Sequence, residues 1–154
     1  MDGMPSSHDL RMIDVGGKPV TLRTARASAC IRALPATIRR VRDGELDKGD
    51  ALEAARIAGI MAAKRTSDIV PLCHPLPLDA VEVTLTLADP DRIVVEAIVR
   101  ATARTGVEME ALAAVTASAL TVYDMCKSID RGMTIEAVRL EEKSGGTRGD
   151  YRRS

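Results

Sequence analysis

Val81-Glu-Val-Thr-Leu-Thr-Leu-Ala88, Asp89-Pro-Asp-Arg92 and Ile93-Val-Val-Glu-Ala-Ile-Val-Arg-Ala-Thr102 follow one another without a break. In the first run Val81, Val83, Leu85 and Leu87 share one face, and Glu82, Thr84 and Thr86 share the other. A period of two is the signature of a half-buried strand. Asp89 to Arg92 reads as a turn, with Pro90 suited to its second position. Ile93 to Thr102 is then the return strand of a hairpin. At least this part of the sheet is antiparallel.

Working outward, Thr105 to Lys127 is the longest predicted helix, and Thr105-x-x-Glu108 reads as a capping box at its start. Thr134 to Glu142 reads as a final strand, alternating through Ile135, Ala137 and then Val138 to Leu140, and Ser144 to Asp150 as a flexible loop. On the other side, Ile69 to Leu78 holds three prolines, which exclude a helix and a central strand and leave a stiff extended loop. Asp50 to Arg65 is a helix with Asp50 as cap and Glu53 three residues on. Leu52, Ala55, Ile57, Ile60 and Met61 give it a broad apolar face. Pro35 fits a first helical position, so Ala36 to Arg42 is a short helix ending near Gly44. Val20 to Leu34 alternates weakly and reads as one or two strands. Residues 1–18 read as a flexible tail, and 19–154 as one domain. Strands and helices mix without strict βαβ alternation, so the fold class is α+β, an antiparallel sheet with helices packed on one face.

Composition narrows the function. Among 154 residues, 22 Lys+Arg balance 22 Asp+Glu, so net charge gives no support to a general nucleic-acid or membrane-surface role. No apolar run reaches membrane-spanning length, no secretory leader pattern is visible, and Cys30, Cys73 and Cys126 lack paired spacing. These features lead to an expectation of a reducing, cytoplasmic location. With no Phe or Trp and two Tyr, the core must be built from small aliphatic residues, each burying little area. Such a domain gains by burying more surface between subunits, so a homo-oligomer is expected.

Neither GxxxxGK[ST] nor GxGxxG occurs, so any bound triphosphate must be held by side-chain cations rather than a backbone cradle. Arg23, Arg26, Lys48, Lys64, Arg65, Arg104, Lys127, Arg131, Lys143 and Arg148 are available, though solvated surface charge is the ordinary state of each. Cys73-His74 invites a metal reading but lacks paired ligands at short spacing. His74, flanked by Pro71, Pro75 and Pro77, reads either as a rigidly placed functional group or as a packed loop histidine. Glu108 and Glu110 in the first turns of the long helix complement its dipole. Asp124 and Lys127 at the other end stand at i and i+3, either as an ordinary ion pair or as an acid/base pair. Glu108 and Asp124 are roughly 24 Å apart along a straight helix, beyond the reach of one small substrate. Either the ends do separate jobs or one site joins ends from two subunits.

Several stretches together resemble the cyclic pyranopterin monophosphate synthase family of molybdenum cofactor synthesis. They are Met12-Ile-Asp-Val15, Lys48-Gly-Asp50, Ala55-Arg-Ile-Ala-Gly-Ile60, Ala63-Lys-Arg-Thr-Ser-Asp68, Pro71-Leu-Cys-His-Pro-Leu76, Thr105-Gly-Val-Glu-Met-Glu-Ala-Leu112, Tyr123-Asp-Met-Cys-Lys127 and Lys143-Ser-Gly-Gly146. The resemblance implies a ferredoxin-like fold and a hexamer built as a trimer of dimers, with sites at subunit interfaces. The implied substrate is a small-molecule nucleotide, 3′,8-cyclo-7,8-dihydro-GTP, converted to cyclic pyranopterin monophosphate and diphosphate with no metal or other cofactor. It implies Asp124 and Lys127 as the catalytic pair. Lys48, Leu72, Cys73, His74, Glu108, Met109, Glu110 and Lys143 match positions that line the substrate pocket, and Arg23, Arg26 and Arg104 are added as triphosphate or interface cations. Ring opening and reclosure needs several titratable groups, and a departing diphosphate needs cations, so the residue types suit the chemistry. One rival is another metal-free enzyme opening a purine nucleotide ring. An RNA-binding module is disfavoured because the predicted strands carry no aromatic for base stacking. A pure interaction protein would leave the charged groups idle.

Overall fold

The computed structural model describes residues 8–154, so residues 1–7 of the expected tail lie outside the described residues. Nine elements follow in order: β1 (Thr21–Arg32), α1 (Pro35–Arg42), α2 (Ala51–Lys64), α3 (Thr66–Ile69), β2 (Ala80–Ala88), β3 (Arg92–Ala103), α4 (Glu108–Cys126), β4 (Thr134–Ser144) and β5 (Tyr151–Arg152). The sheet order is β2-β3-β1-β4-β5, and every neighbouring pair is antiparallel. The first four strands, with helices crossing after β1 and after β3, have the ferredoxin-like order within an α+β fold.

Alternation decides which face is buried. Ala25, Ala27, Ala29 and Ile31 of β1 and Ile93, Val95, Ala97 and Val99 of β3 are buried at 2% exposure or less. The residues between them, including Arg26, Ser28, Glu96 and Arg100, lie on the opposite, partly open face. On the buried face lies α4, through Ala111, Ala114, Val115, Ala119 and Val122, with α2 beside it. The small residues permit close approach of backbones. A Cβ at Gly59 of α2 would lie 2.3 Å from Ser118 Oγ and 3.0 Å from Ala114 O of α4. Ser118 Oγ in turn donates to Ala55 O at 2.8 Å, tying the two helices together.

The hairpin stands with one residue more at its outer ends than expected, in the register Val81↔Val99 and Leu85↔Val95, and its Asp89–Pro90 bond is cis. Asp50 caps α2 by accepting from Glu53 N at 3.1 Å. Val20 to Leu34 holds a single strand. The slip in alternation at Ala137–Val138 is a bulge: β1 residues Ser28 and Cys30 oppose Arg139 and Glu136, leaving one extra residue on β4, and Ala137 takes φ 56°.

One expectation needs correction, and two short elements were not anticipated. The capping box is absent: α4 begins at Glu108 with Val107 as its cap and no capping side chain. The chain bends at Arg104–Thr105 before the helix, and the Glu108 carboxylate folds over Gly106 and stands 3.6 Å from Lys143 without capping the backbone. One turn, α3, stands between α2 and the proline-rich loop, where Thr66 Oγ1 donates to Ala62 O and Ala63 O. The stretch after Ser144 ends in β5, which pairs with Glu142 and Lys143.

Candidate active site

The two ends of α4 present two clusters. At the C-terminal end Asp124 lies between two ammoniums. Lys127 Nζ is 2.9 Å from its Oδ1, one helical turn on. Lys48 Nζ, from the loop preceding α2, is 2.9 Å from its Oδ2. The close packing of α2 on α4 is what brings Lys48 there. The Lys48 hydrogen bond, followed by that of Lys127, holds the carboxyl of Asp124 down at about 2. All three side chains are about half exposed. At neutral pH the cluster is a fixed carboxylate clamping two cations, able to orient an anionic group or to donate a proton from either ammonium.

At the N-terminal end the proline-rich loop faces the first turn of α4. Leu72, Cys73, His74, Glu108 and Met109 line a cleft of about 530 Å³, together with Ile13, Val15 and Val70. A narrower cleft of about 190 Å³ is lined by Arg23, Lys143, Gly145 and Thr147. The two share Lys18, Thr105, Gly106, Glu108 and Arg148, so they are continuous. Lys143 Nζ stands 3.6 Å from Glu108 Oε1. Behind the wall, Glu110 is 3% exposed, and its Oε2 lies 3.8 Å from the Cys73 thiol that donates to it. Its Oε1 has no hydrogen-bond partner among the described residues.

Burial raises the Glu110 carboxyl above its ordinary range, and the neighbouring charge of Glu108 adds to the effect. Burial also raises the Cys73 thiol, with Glu110 reinforcing it. A thiol held protonated is a hydrogen-bond donor and a poor nucleophile. Glu110 is the group here whose burial favours the protonated form, which suits general acid/base work.

The structure brings Leu72, Cys73, His74, Glu108, Met109, Glu110, Lys143 and Arg23 to one end and Lys48, Asp124 and Lys127 to the other. Neither cleft is lined by a residue of the second group. Arg26 goes elsewhere: on the open sheet face its Nε and Nη2 donate to Glu142 Oε1 at 2.9 and 2.7 Å, with Glu96 at 3.6 Å. Arg104 is exposed just beyond β3 and lines neither cleft. Lys18, with Ile13 and Val15, escaped sequence reasoning because it was assigned to the tail. Thr105 was read as a cap. One signal pointed to this wall: the paired Gly145 and Gly146 take φ of 96° and 81°, and Cβ atoms there would lie 2.0 Å from Leu22 O and 1.9 Å from Arg23 Nη1. Only glycine tolerates that approach.

Comparison with known proteins gives the family. The model of the MoaC family matches residues 12–146. The chain is 59% identical to cyclic pyranopterin monophosphate synthase 1 of Mycobacterium tuberculosis (strain ATCC 25618 / H37Rv) over 144 residues, 94% of this chain and 85% of that protein. It is 59% identical to cyclic pyranopterin monophosphate synthase 3 of the same strain over 143 residues, 93% and 81% of the two chains. With the cyclic pyranopterin monophosphate synthase of Streptomyces coelicolor (strain ATCC BAA-471 / A3(2) / M145) it shares 55% over 144 residues, 94% and 84%. Matched over most of its length by the family model and by these relatives, the chain belongs to the MoaC family.

Proposed function

We propose that this protein is a lyase of molybdenum cofactor synthesis that converts 3′,8-cyclo-7,8-dihydro-GTP to cyclic pyranopterin monophosphate and diphosphate. The observation that carries the reading is the pairing of a proton-holding buried carboxyl, Glu110, with a cationic clamp, Lys48–Asp124–Lys127, on one helix of a chain of this family. The chemistry needs both. Opening one ring and closing another requires protons to be moved, and forming the cyclic phosphate leaves charge on departing diphosphate.

The roles divide by environment. Lys127 and Lys48 donate protons or neutralise developing charge. Asp124 fixes both in place; an incoming phosphate that draws Lys48 away returns Asp124 toward the ordinary carboxylate range, where it accepts a proton. Leu72, Cys73, His74 and Met109 form the wall against which the guanine-derived rings lie, with Glu110 behind it at Cys73. Because α4 is continuous from Glu108 to Cys126, its ends are separated by roughly 24 Å of helix rise. One substrate therefore touches the N-terminal cluster of one subunit and the C-terminal cluster of another. This fits a hexamer of three dimers acting without a metal in the cytoplasm. Among the described residues, no helix is long and apolar enough to cross a membrane.

The test is direct. Purified protein supplied with the cyclised nucleotide should release one diphosphate per pterin product. Folded protein that gives no turnover, or gives a ring-opened product without the cyclic phosphate, overturns the assignment.

A further inference from the structure

With eight residues, α1 is too short to be stable by itself. Only Thr37 and Ile38 are buried, and Leu34 at the N-cap offers no side-chain cap. Asp130 supplies what Leu34 lacks. From the loop after α4, its Oδ2 accepts from Leu34 N and from Thr37 Oγ1, both at 2.9 Å. Asp130 is 6% exposed, and a carboxylate taken out of water needs such hydrogen bonds to offset the cost. Each of the two segments joined here carries a lysine of the Asp124 clamp. On one side, Asp130 N and Ile129 N donate to Cys126 O at 3.1 and 3.0 Å, and the Tyr123 hydroxyl donates to Arg131 O at 3.0 Å. These bonds wind the loop after Lys127 back onto the end of α4. On the other side, Arg40 Nε and Nη2 donate to Glu45 O at 3.2 and 2.7 Å, and Glu45 N donates to Arg40 O at 2.9 Å. These fasten the loop that carries Lys48 to the end of α1. The contacts close a ring: Asp124, Lys127, Asp130, α1, Lys48 and Asp124 again.

We propose that Asp130 is a positioning residue: by joining the start of α1 to the loop after α4, it sets how Lys48 and Lys127 face each other across Asp124. The proposal rests on the reading that this clamp serves turnover, and it names what holds the clamp in shape. Lys48 stands between α1 and α2. The packing of α2 on α4 fixes one end of its loop, and Asp130, through α1, fixes the other. A single oxygen of Asp130 makes both contacts to α1. The role therefore belongs to hydrogen bonding rather than to charge, and the amide oxygen of asparagine can reproduce it.

The test reads two quantities in the full-length protein: the titration midpoint of Asp124 by NMR, and turnover of the cyclised nucleotide. Asp130→Ala should move the midpoint up from about 2 toward 3.8 and cut turnover by roughly 10- to 100-fold, the range for a small misplacement transmitted from outside the reacting groups. Losing a negative charge nearby would by itself lower that midpoint, so an upward shift separates position from charge. Thr37→Val removes only the hydroxyl and should shift both quantities the same way by less. Asp130→Asn should leave the midpoint in place and stay within roughly threefold of the parent rate, as for a hydrogen bond kept but weakened. A role in stability alone would lower the melting temperature of the variants and leave the Asp124 midpoint unmoved; that result overturns the proposal, as does an Asp130→Asn variant as impaired as Asp130→Ala. Where Asp130→Ala does not fold, Thr37→Val and Asp130→Asn decide by the same readings. A shifted midpoint with parent turnover leaves the positioning role standing and removes the clamp from the reaction.

Discussion

Near the start of α4, Glu110 is 3% exposed, touches a thiol and has one oxygen without a partner among the described residues. Near its end, Asp124 is half exposed and gripped by two ammoniums at 2.9 Å. Burial drives the first carboxyl up; cations drive the second down to about 2. The same functional group is thus biased toward its protonated form at one end and held as a charge at the other, and the surroundings make the difference. The proposed reaction, which uses both, draws them from two subunits in our reading, because one continuous helix keeps the ends apart.

The largest expected effect is at the C-terminal end. Asp124→Asn and Lys127→Ala should each cut turnover by roughly 10²- to 10⁴-fold, the range for losing a positioned acid/base group, with oligomer size by light scattering unchanged. Near-normal rates in both would end the contrast between the two ends. Next is the packing that carries Lys48 to Asp124. Gly59→Ala pushes a methyl into Ser118 and the Ala114 carbonyl and should destabilise by roughly 1–3 kcal/mol in denaturant titration. Unchanged stability would mean that the helices separate freely, and Lys48 would then need another anchor.

At the N-terminal end the sign is distinctive. A carboxyl whose folded pKa is raised contributes stability below its unfolded value that is lost as pH rises through the folded value. Glu110→Gln removes that loss. Melting curves should show the variant gaining on the parent protein between pH 4 and pH 8, and a gap that stays constant or reverses would show that Glu110 is not held protonated. The smallest effect is in the titration of Asp124. Its folded pKa is depressed, so its contribution stands above 3.8 and fades as pH falls toward about 2. Removing the stronger hydrogen bond in Lys48→Ala should move its NMR midpoint back up toward the ordinary value; an unmoved midpoint would mean that Lys127 alone sets it.

The hairpin, α2 with its Asp50 cap and the length of α4 were legible because each is local: period two, a cap three residues from its acceptor, a long apolar run. The Asp124–Lys127 pair was legible for the same reason, being one turn apart. The start of α4 was misread because Thr105-x-x-Glu108 satisfies the capping pattern, while Glu108 is drawn instead to Lys143, a partner no local pattern supplies. Lys48 at Asp124 was invisible to local reading, since 76 residues separate them and only the α2–α4 packing joins them. Lys18 was lost to the tail for the same cause, because β1 and β4 must be folded before that segment meets Arg23 and Arg148. Arg26 and Arg104, expected as triphosphate or interface cations, line neither cleft, and charge does not say where in the fold a side chain stands.

The sharing of one site between subunits is tested most directly by mixing two variants, Glu110→Gln and Lys127→Ala, under conditions of subunit exchange. Each alone should be nearly inactive. With random exchange of equal amounts, about a quarter of the sites regain an intact N-terminal cluster from one subunit and an intact C-terminal cluster from another, and turnover should rise toward that fraction of the parent rate. Mixed oligomers that stay as inactive as either parent variant would contradict a site built from the two ends of α4 in different subunits.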